Sequence, residues 1–358
     1  MCEIEDQTKF YNSKAEKTGW RDFIRLDFIS LTAFTMAEIL ISLTIIGVIA
    51  AITLPSLRAN INEKTWATQR KALHARLNQA ISMMPSLNGY GEYAGTWNNN
   101  VVTVEKDTAA QMFLTNGLSK VMQINNICIP NGATRNERLA AFTKCGINSK
   151  LKTTKGNTIN FPTKLSEMNN TLIDTYSTAG STYLPPQKEI DTQAIAFETK
   201  NGESIAVFYN PICASKEVSF LYGVNTYYVT PYVCANFVYD LNGRRGPNKF
   251  GKDIGFITAL YPTDSEVVAP EILFVDENTD MTWEQAKNTC STKDSGRLAN
   301  SDELAAMFYN KQFLGINKSR YFWSNLTKSD YIYCQHFGIG VRLFVGKSTT
   351  QRTVCIKR

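Results

Sequence analysis

Apolar and polar positions divide the chain from residue 34 on into five stretches. The first, FTMAEILISLTIIGVIAAITL over residues 34–54, is apolar apart from one charge, Glu38. At about 1.5 Å of rise per residue such a run covers a hydrocarbon core of roughly 30 Å, so a transmembrane helix is expected over 34–54. Beyond Pro55 the apolar residues Leu57, Ile61, Leu73, Leu77, Ile81 and Met84 recur largely at three- and four-residue steps, with Arg58, Lys64, Arg70, Lys71 and Arg76 between them. That spacing extends one helix to residue 84, its second half presenting an apolar stripe to a globular head. Pro55 should bend the helix, because proline lacks a backbone donor and clashes with the preceding turn. Pro85 and Gly89 should end it.

Residues 85–190 are polar and read as loops around a short helix over 112–122. Between 193 and 260 the pattern turns to the runs AIAFE (194–198), SIAVFY (204–209) and ANFVYD (235–240), which predict strands of an antiparallel sheet. From Met281 it changes again. Thr282-Trp-Glu-Gln285 and Asn300-Ser-Asp-Glu303 are capping boxes that open helices running through Cys290 and Tyr309. Short strands follow near 321–324, 331–334, 341–345 and 354–358. The expected fold class is α+β: a long N-terminal helix, transmembrane at first and amphipathic afterwards, on an antiparallel sheet head with a loop-rich insertion (85–270). An α+β module over 271–358 completes the chain.

Glu38 demands an explanation, since a charge inside a membrane helix costs about 2.5–3.5 kcal/mol and persists where something compensates it. The segment Ala33-Phe34-Thr35-Met36-Ala37-Glu38, with the apolar run, Gly47 and Pro55 after it, resembles the N-terminus of type IV pilins and type II secretion pseudopilins. The resemblance implies a leader over 1–33, cleaved at Ala33–Phe34 by a prepilin peptidase that also methylates the new amine. It further implies that Glu38 neutralises the amine of a neighbouring subunit during assembly. The partners so implied are other pilin or pseudopilin subunits, the prepilin peptidase and the membrane. Two departures stand out: Ala33 replaces the usual glycine, and the leader has no positive excess. The competing reading, an ordinary secretory signal, has a shorter apolar core and an Ala-x-Ala-like site, which does not occur cleanly before Pro55.

In the last module Trp283, Ala286, Cys290, Gly296-Arg-Leu298, Glu303-Leu304, Phe322-Trp-Ser324 and Cys355 resemble the C-type-lectin-like modules of bacterial surface proteins. That resemblance implies a disulfide from Cys290 in the first helix to Cys355 in the last strand. The Glu-Pro-Asn and Trp-Asn-Asp motifs of calcium-dependent sugar binding are absent, so sugar recognition is not implied. Tyr321, Phe322 and Trp323 read either as a ligand platform or as buried packing.

The net charge of +6 is mild and forms no run, so no nucleic-acid partner is expected. Of the eight cysteines, Cys2 falls in the leader and none forms a Cys-x-x-Cys pair. Their spacing suits loop-closing disulfides better than zinc and suggests Cys128–Cys145, Cys213–Cys234 and Cys290–Cys355, with Cys334 left over, although spacing alone does not fix connectivity. An oxidising compartment follows. The loop Asp240-Leu-Asn-Gly-Arg-Arg-Gly-Pro-Asn-Lys-Phe-Gly-Lys-Asp253 is similar to loops of pseudopilin-like proteins, some of which bind calcium in their heads. Asp240, Asn242 and Asp253 would be the oxygen ligands. The alternative is a tight hairpin in which Asn and Gly supply positive φ. The chain has two histidines, His74 and His336, and neither His-Glu-x-x-His nor Gly-x-Ser-x-Gly. The P-loop-like run from Gly340 to Ser348 carries five residues between its glycines instead of four. No cofactor is required and no enzyme is expected. The expected function is that of a filament subunit on the outer side of a bacterial inner membrane. The alternative is a membrane-tethered adhesin whose last module binds a glycan or protein.

Overall fold

The computed structural model describes residues 35–88, 97–98, 101–102, 110–130, 134–168, 193–209, 218–222, 225–229, 233–260, 267–293, 295–316, 319–338, 340 and 342–357. The chain is α+β and divides into two compact units, Met1–Ala59 and Asn60–Arg358. Helix α1 (Met36–Asn88) runs without interruption through Pro55; the expected end at Gly89 lies outside the described residues.

In the first unit α1 starts at Met36 and carries exposed apolar side chains. Among the described residues no helix is long and apolar enough to cross a membrane. This corrects the expected transmembrane helix over 34–54.

The second unit is built on two sheets. Strands β1 (Ile124–Cys128), β2 (Ile195–Thr199), β3 (Ser204–Tyr209), β4 (Val233–Asp240), β5 (Ile254–Leu260) and β6 (Val267–Val268) pair in sequence order, every pair antiparallel. Strands β7 (Ile272–Met281), β8 (Arg297–Leu298), β9 (Tyr321–Lys328), β10 (Tyr331–His336), β11 (Arg342–Gly346) and β12 (Gln351–Ile356) form the second sheet. Its order is β7-β12-β9-β10-β11, with β8 on β12 and a parallel β9–β12 contact. Helix α2 (Arg135–Lys144) covers β1 and β2. Helices α3 (Trp283–Thr292) and α4 (Ser301–Tyr309) begin at the capping boxes of Thr282 with Gln285 and Asn300 with Glu303.

Alternation along the meander sends side chains to two cores. Ile205, Val207, Tyr209, Phe237 and Ile257 meet Leu73, Leu77, Ile81 and Met84 of α1. Ala206, Phe208, Val238 and Phe256 face a core that also contains Leu304, Phe308, Phe322, Tyr333 and Val354. Residues of α4 from Glu303 to Tyr309 are all buried, and the helix contacts both sheets. Where α4 ends, Asn310 reaches the meander. Its amide exchanges two hydrogen bonds with that of Asn236, at 2.7 and 2.9 Å, and Thr258 Oγ1 donates to Asn236 Oδ1 at 2.7 Å. Asn236 and Thr258 face each other across β4 and β5, and all three residues are fully buried.

Replacing Asn310 by alanine removes both of its bonds to Asn236, leaving the Asn236 amide N–H without its partner inside the core and its oxygen with the Thr258 donor alone. Unsatisfied buried groups of this kind cost about 1–3 kcal/mol each, so Asn310→Ala should lower the unfolding free energy by about 3 kcal/mol in a urea titration. A loss below ~1 kcal/mol would show that the triad does not tie α4 to the meander.

Candidate functional site

The N-terminal helix is the first of the regions singled out in the sequence. Ala33 and Phe34, the expected cleavage residues, lie outside the described residues. Pro55 lies inside α1, where its side chain is likewise not described. Glu38 is placed by a reciprocal cap at the start of the helix. Its Oε2 accepts from the Thr35 N–H at 2.9 Å and from Thr35 Oγ1 at 3.0 Å, and its own N–H donates to Thr35 Oγ1 at 3.3 Å. Thr35-Met-Ala-Glu38 is a capping box, a signal present in the sequence that the reading of Glu38 as a membrane charge passed over. The same oxygen that a neighbour's amine would approach is therefore already held by two donors of its own chain. Behind it Leu40, Ile41, Leu43, Ile45, Ile46, Val48 and Ile49 are all more than half exposed. A helix that is apolar on every side has no stable place in water by itself.

The second region is the loop from Asp240 to Asp253. Asp240 ends β4 and Asp253 immediately precedes β5, so the β4–β5 connection brings the two carboxyls to one turn. Asp253 is fully buried and accepts from the Asn248 N–H at 2.8 Å and the Lys249 N–H at 2.9 Å, one on each oxygen. Its own carbonyl accepts from the Leu241 N–H at 2.9 Å. This arrangement organises the Gly246-Pro247-Asn248 corner, whose Asn248 takes a positive φ of 50°. Asp240 accepts from the Asn242 N–H at 3.1 Å, an Asx turn. Its Oδ2 and the Oδ1 of Asn242 are buried without a hydrogen-bond partner among the described residues. Burial pushes the Asp240 carboxyl up to about 8 from its ordinary 3.8; the Asn242 N–H opposes the shift and the charge of Asp253 adds to it.

Calcium takes about 6–8 oxygen ligands. Two orphaned oxygens, beside an Asp253 whose carboxylate already holds two backbone N–H groups, fall short of that set. Nor does any group of three or more His, Cys, Asp or Glu side chains suited to a metal occur among the described residues. The geometry instead matches a buried hairpin corner in which Asp240 carries a proton at neutral pH.

The remaining singled-out residues serve packing. Disulfides join Cys128 to Cys145 and Cys290 to Cys355. Cys234 is disulfide-bonded, and Cys213 lies outside the described residues. Cys334 is a buried free thiol that burial pushes up to about 12, which removes it from thiolate chemistry. Phe322 and Trp323 are fully buried, so the first belongs to the main core and the second packs by the Cys290–Cys355 bridge; Tyr321 is half-buried against His336. His336 ends β10, and burial, with Lys311 and Arg320 nearby, brings it down to about 4, hence neutral. His74 donates from Nε2 to the Val267 carbonyl at 2.9 Å.

Compared with protein-family models, curated proteins and solved structures, the chain matches none.

The raised Asp240 pKa has a definite sign in stability. The native state keeps a proton that the unfolded chain releases near pH 4, so its contribution is complete below about pH 4 and is lost as pH rises to about 8. The thermal midpoint of Asp240→Asn should consequently gain on that of the unaltered protein steadily between pH 5 and pH 8. Parallel pH profiles for the two proteins would rule out a protonated Asp240.

Proposed function

We propose that the chain is a structural subunit of a type IV pilus or type II secretion pseudopilus, trimmed before Phe34 by a prepilin peptidase and joined to its neighbours through the first turns of α1. The observation that carries this reading is the exposed apolar surface from Met36 to Ile49, with Met36 79% and Leu40 62% accessible on a well-formed helix. Such a surface calls for a cover that the described residues of the chain do not supply. Packing many copies side by side supplies it.

Glu38 sets the stagger in this reading. Its carboxylate sits one turn from the cleavage point and, by exchanging Thr35 for the new amine of an adjacent subunit, trades a local cap for an intermolecular ion pair. A charged pair withdrawn from water this way holds two chains at one relative height. The body, residues 60–358, contains its own cores. Its disulfides fit a protein working outside the reducing cytosol.

The test is incorporation of Glu38→Ala into filaments made by cells that also express the unaltered subunit. Incorporation should fall at least about tenfold, equivalent to ~1.4 kcal/mol, while the amount of folded, disulfide-bonded body stays constant. Equal incorporation would refute the pairing role. Mass spectrometry of the mature protein should find an N-methylated phenylalanine at position 34; a retained leader would refute the processing.

A further inference from the structure

A cavity of about 530 Å³ opens within the second unit, walled by one face of α1 (Glu63, Ala67, Arg70, His74), the β4–β5 end of the meander and residues 269–273. Its size falls inside the range of about 300–1,000 Å³ typical of small-molecule sites. Phe250, Phe256, Ile272 and Leu314 contribute apolar lining. Charged residues line it as well. Arg70 donates to the Gly251 carbonyl at 3.2 Å and stands 3.7 Å from Glu271, while Lys357 approaches the same Glu271 oxygen at 3.3 Å. Two cations thus share one carboxylate. Glu303, also at the cavity, is occupied by two bonds of 2.8 Å from Arg297. The six charged lining residues balance, and with Glu303 neutralised by Arg297 from outside the lining the other five, Arg70, Lys71 and Lys357 against Glu63 and Glu271, carry one positive charge.

Tyr239 is the second, independent sign. It is 4% exposed, it lines the cavity, and its hydroxyl makes no hydrogen bond among the described residues. A Cβ at Gly255 would fall 2.3 Å from the Tyr239 hydroxyl oxygen, so the phenol holds this position because residue 255 has no side chain. Burial pushes the phenol well above its ordinary range, with Arg70 opposing and Glu271 adding to the shift, which keeps it a donor at neutral pH. A buried phenol with a free donor, a guanidinium with spare N–H groups and apolar side chains lining the same cavity define one ligand type.

We propose that this cavity binds a small amphipathic carboxylate, its hydrocarbon part against Phe250, Phe256, Ile272 and Leu314 and its carboxylate between Arg70 and the Tyr239 hydroxyl. A guanidinium fork matches the two oxygens of a planar carboxylate. One surplus cation suits a single negative charge better than the double charge of a phosphate monoester. This site is independent of filament assembly, because every lining residue belongs to the second unit.

Isothermal titration of the full chain with sodium decanoate tests the proposal, with decanol and decylamine as the neutral and cationic controls. Decanoate should bind saturably at one site, and both controls at least about tenfold more weakly. Tyr239→Phe, which keeps the ring, and Arg70→Ala should each weaken decanoate about tenfold, as the loss of a hydrogen bond to a charged group does, with an unchanged urea midpoint for Tyr239→Phe. Binding at the exposed apolar turns of α1 would respond to neither substitution. Undiminished affinity in both variants, equal affinity for decanol, or no saturable binding of decanoate would each overturn the assignment.

Discussion

Burial of both faces of one antiparallel meander governs this fold. Side chains alternate along a strand, so a sheet covered on both sides needs apolar residues at nearly every position. Strands β3 and β5 meet that demand: every residue from Ser204 to Tyr209 and from Ile254 to Leu260 is buried. Two covers follow as a necessity. The stripe of Leu73, Leu77, Ile81 and Met84 closes one face, and α4 with the second sheet closes the other. Among the buried polar residues on the second face, Asn236 and Thr258 accept one neighbour geometry. Asn310 supplies it, and in doing so fixes where α4 sits along the strands.

The covers also explain why the two halves of α1 differ. The half in the second unit carries apolar residues at helical spacing with charges between them, and it is anchored further by the ion pair of Arg76 with the nearly buried Glu203. In the first unit the large apolar side chains described between Met36 and Ile49 are exposed. A body that closes its own cores, together with a helix that cannot close its own surface, is the physical basis for reading the chain as a subunit of something larger. The disulfides add to the body. The Cys290–Cys355 bridge ties α3 to β12 across 65 residues, in the range where loop closure contributes about 4 kcal/mol.

Much of the second unit was legible because its signals are local. Thr282 with Gln285 and Asn300 with Glu303 each satisfy free N–H groups at a helix start, a matter of three residues' spacing. The runs at 194–198, 204–209 and 235–240 are continuous and apolar, and each became a central strand. Less was legible at the candidate sites. The distance from Asp240 to Asp253 along the chain suggests a ligand loop, whereas the hydrogen bonds show Asp253 consumed by the Asn248 and Lys249 N–H groups. The membrane span expected over 34–54 rested on a count of apolar residues and took no account of Thr35 as the local partner of Glu38. Arg70, Tyr239 and Gly255 gave no warning at all, since their meeting depends on separate elements arriving at one place.

The sequence by itself determined the elements: where helices start, which runs extend as strands, and which cysteines have room to close loops. These are set by hydrogen-bonding and periodicity over a few residues. Only the tertiary structure decided that the meander is covered twice, that Asp240 is desolvated enough to keep its proton, and that a tyrosine and an arginine far apart in the chain face one cavity. Burial and electrostatic environment are properties of what packs around a group, and the packing partners come from distant parts of the chain.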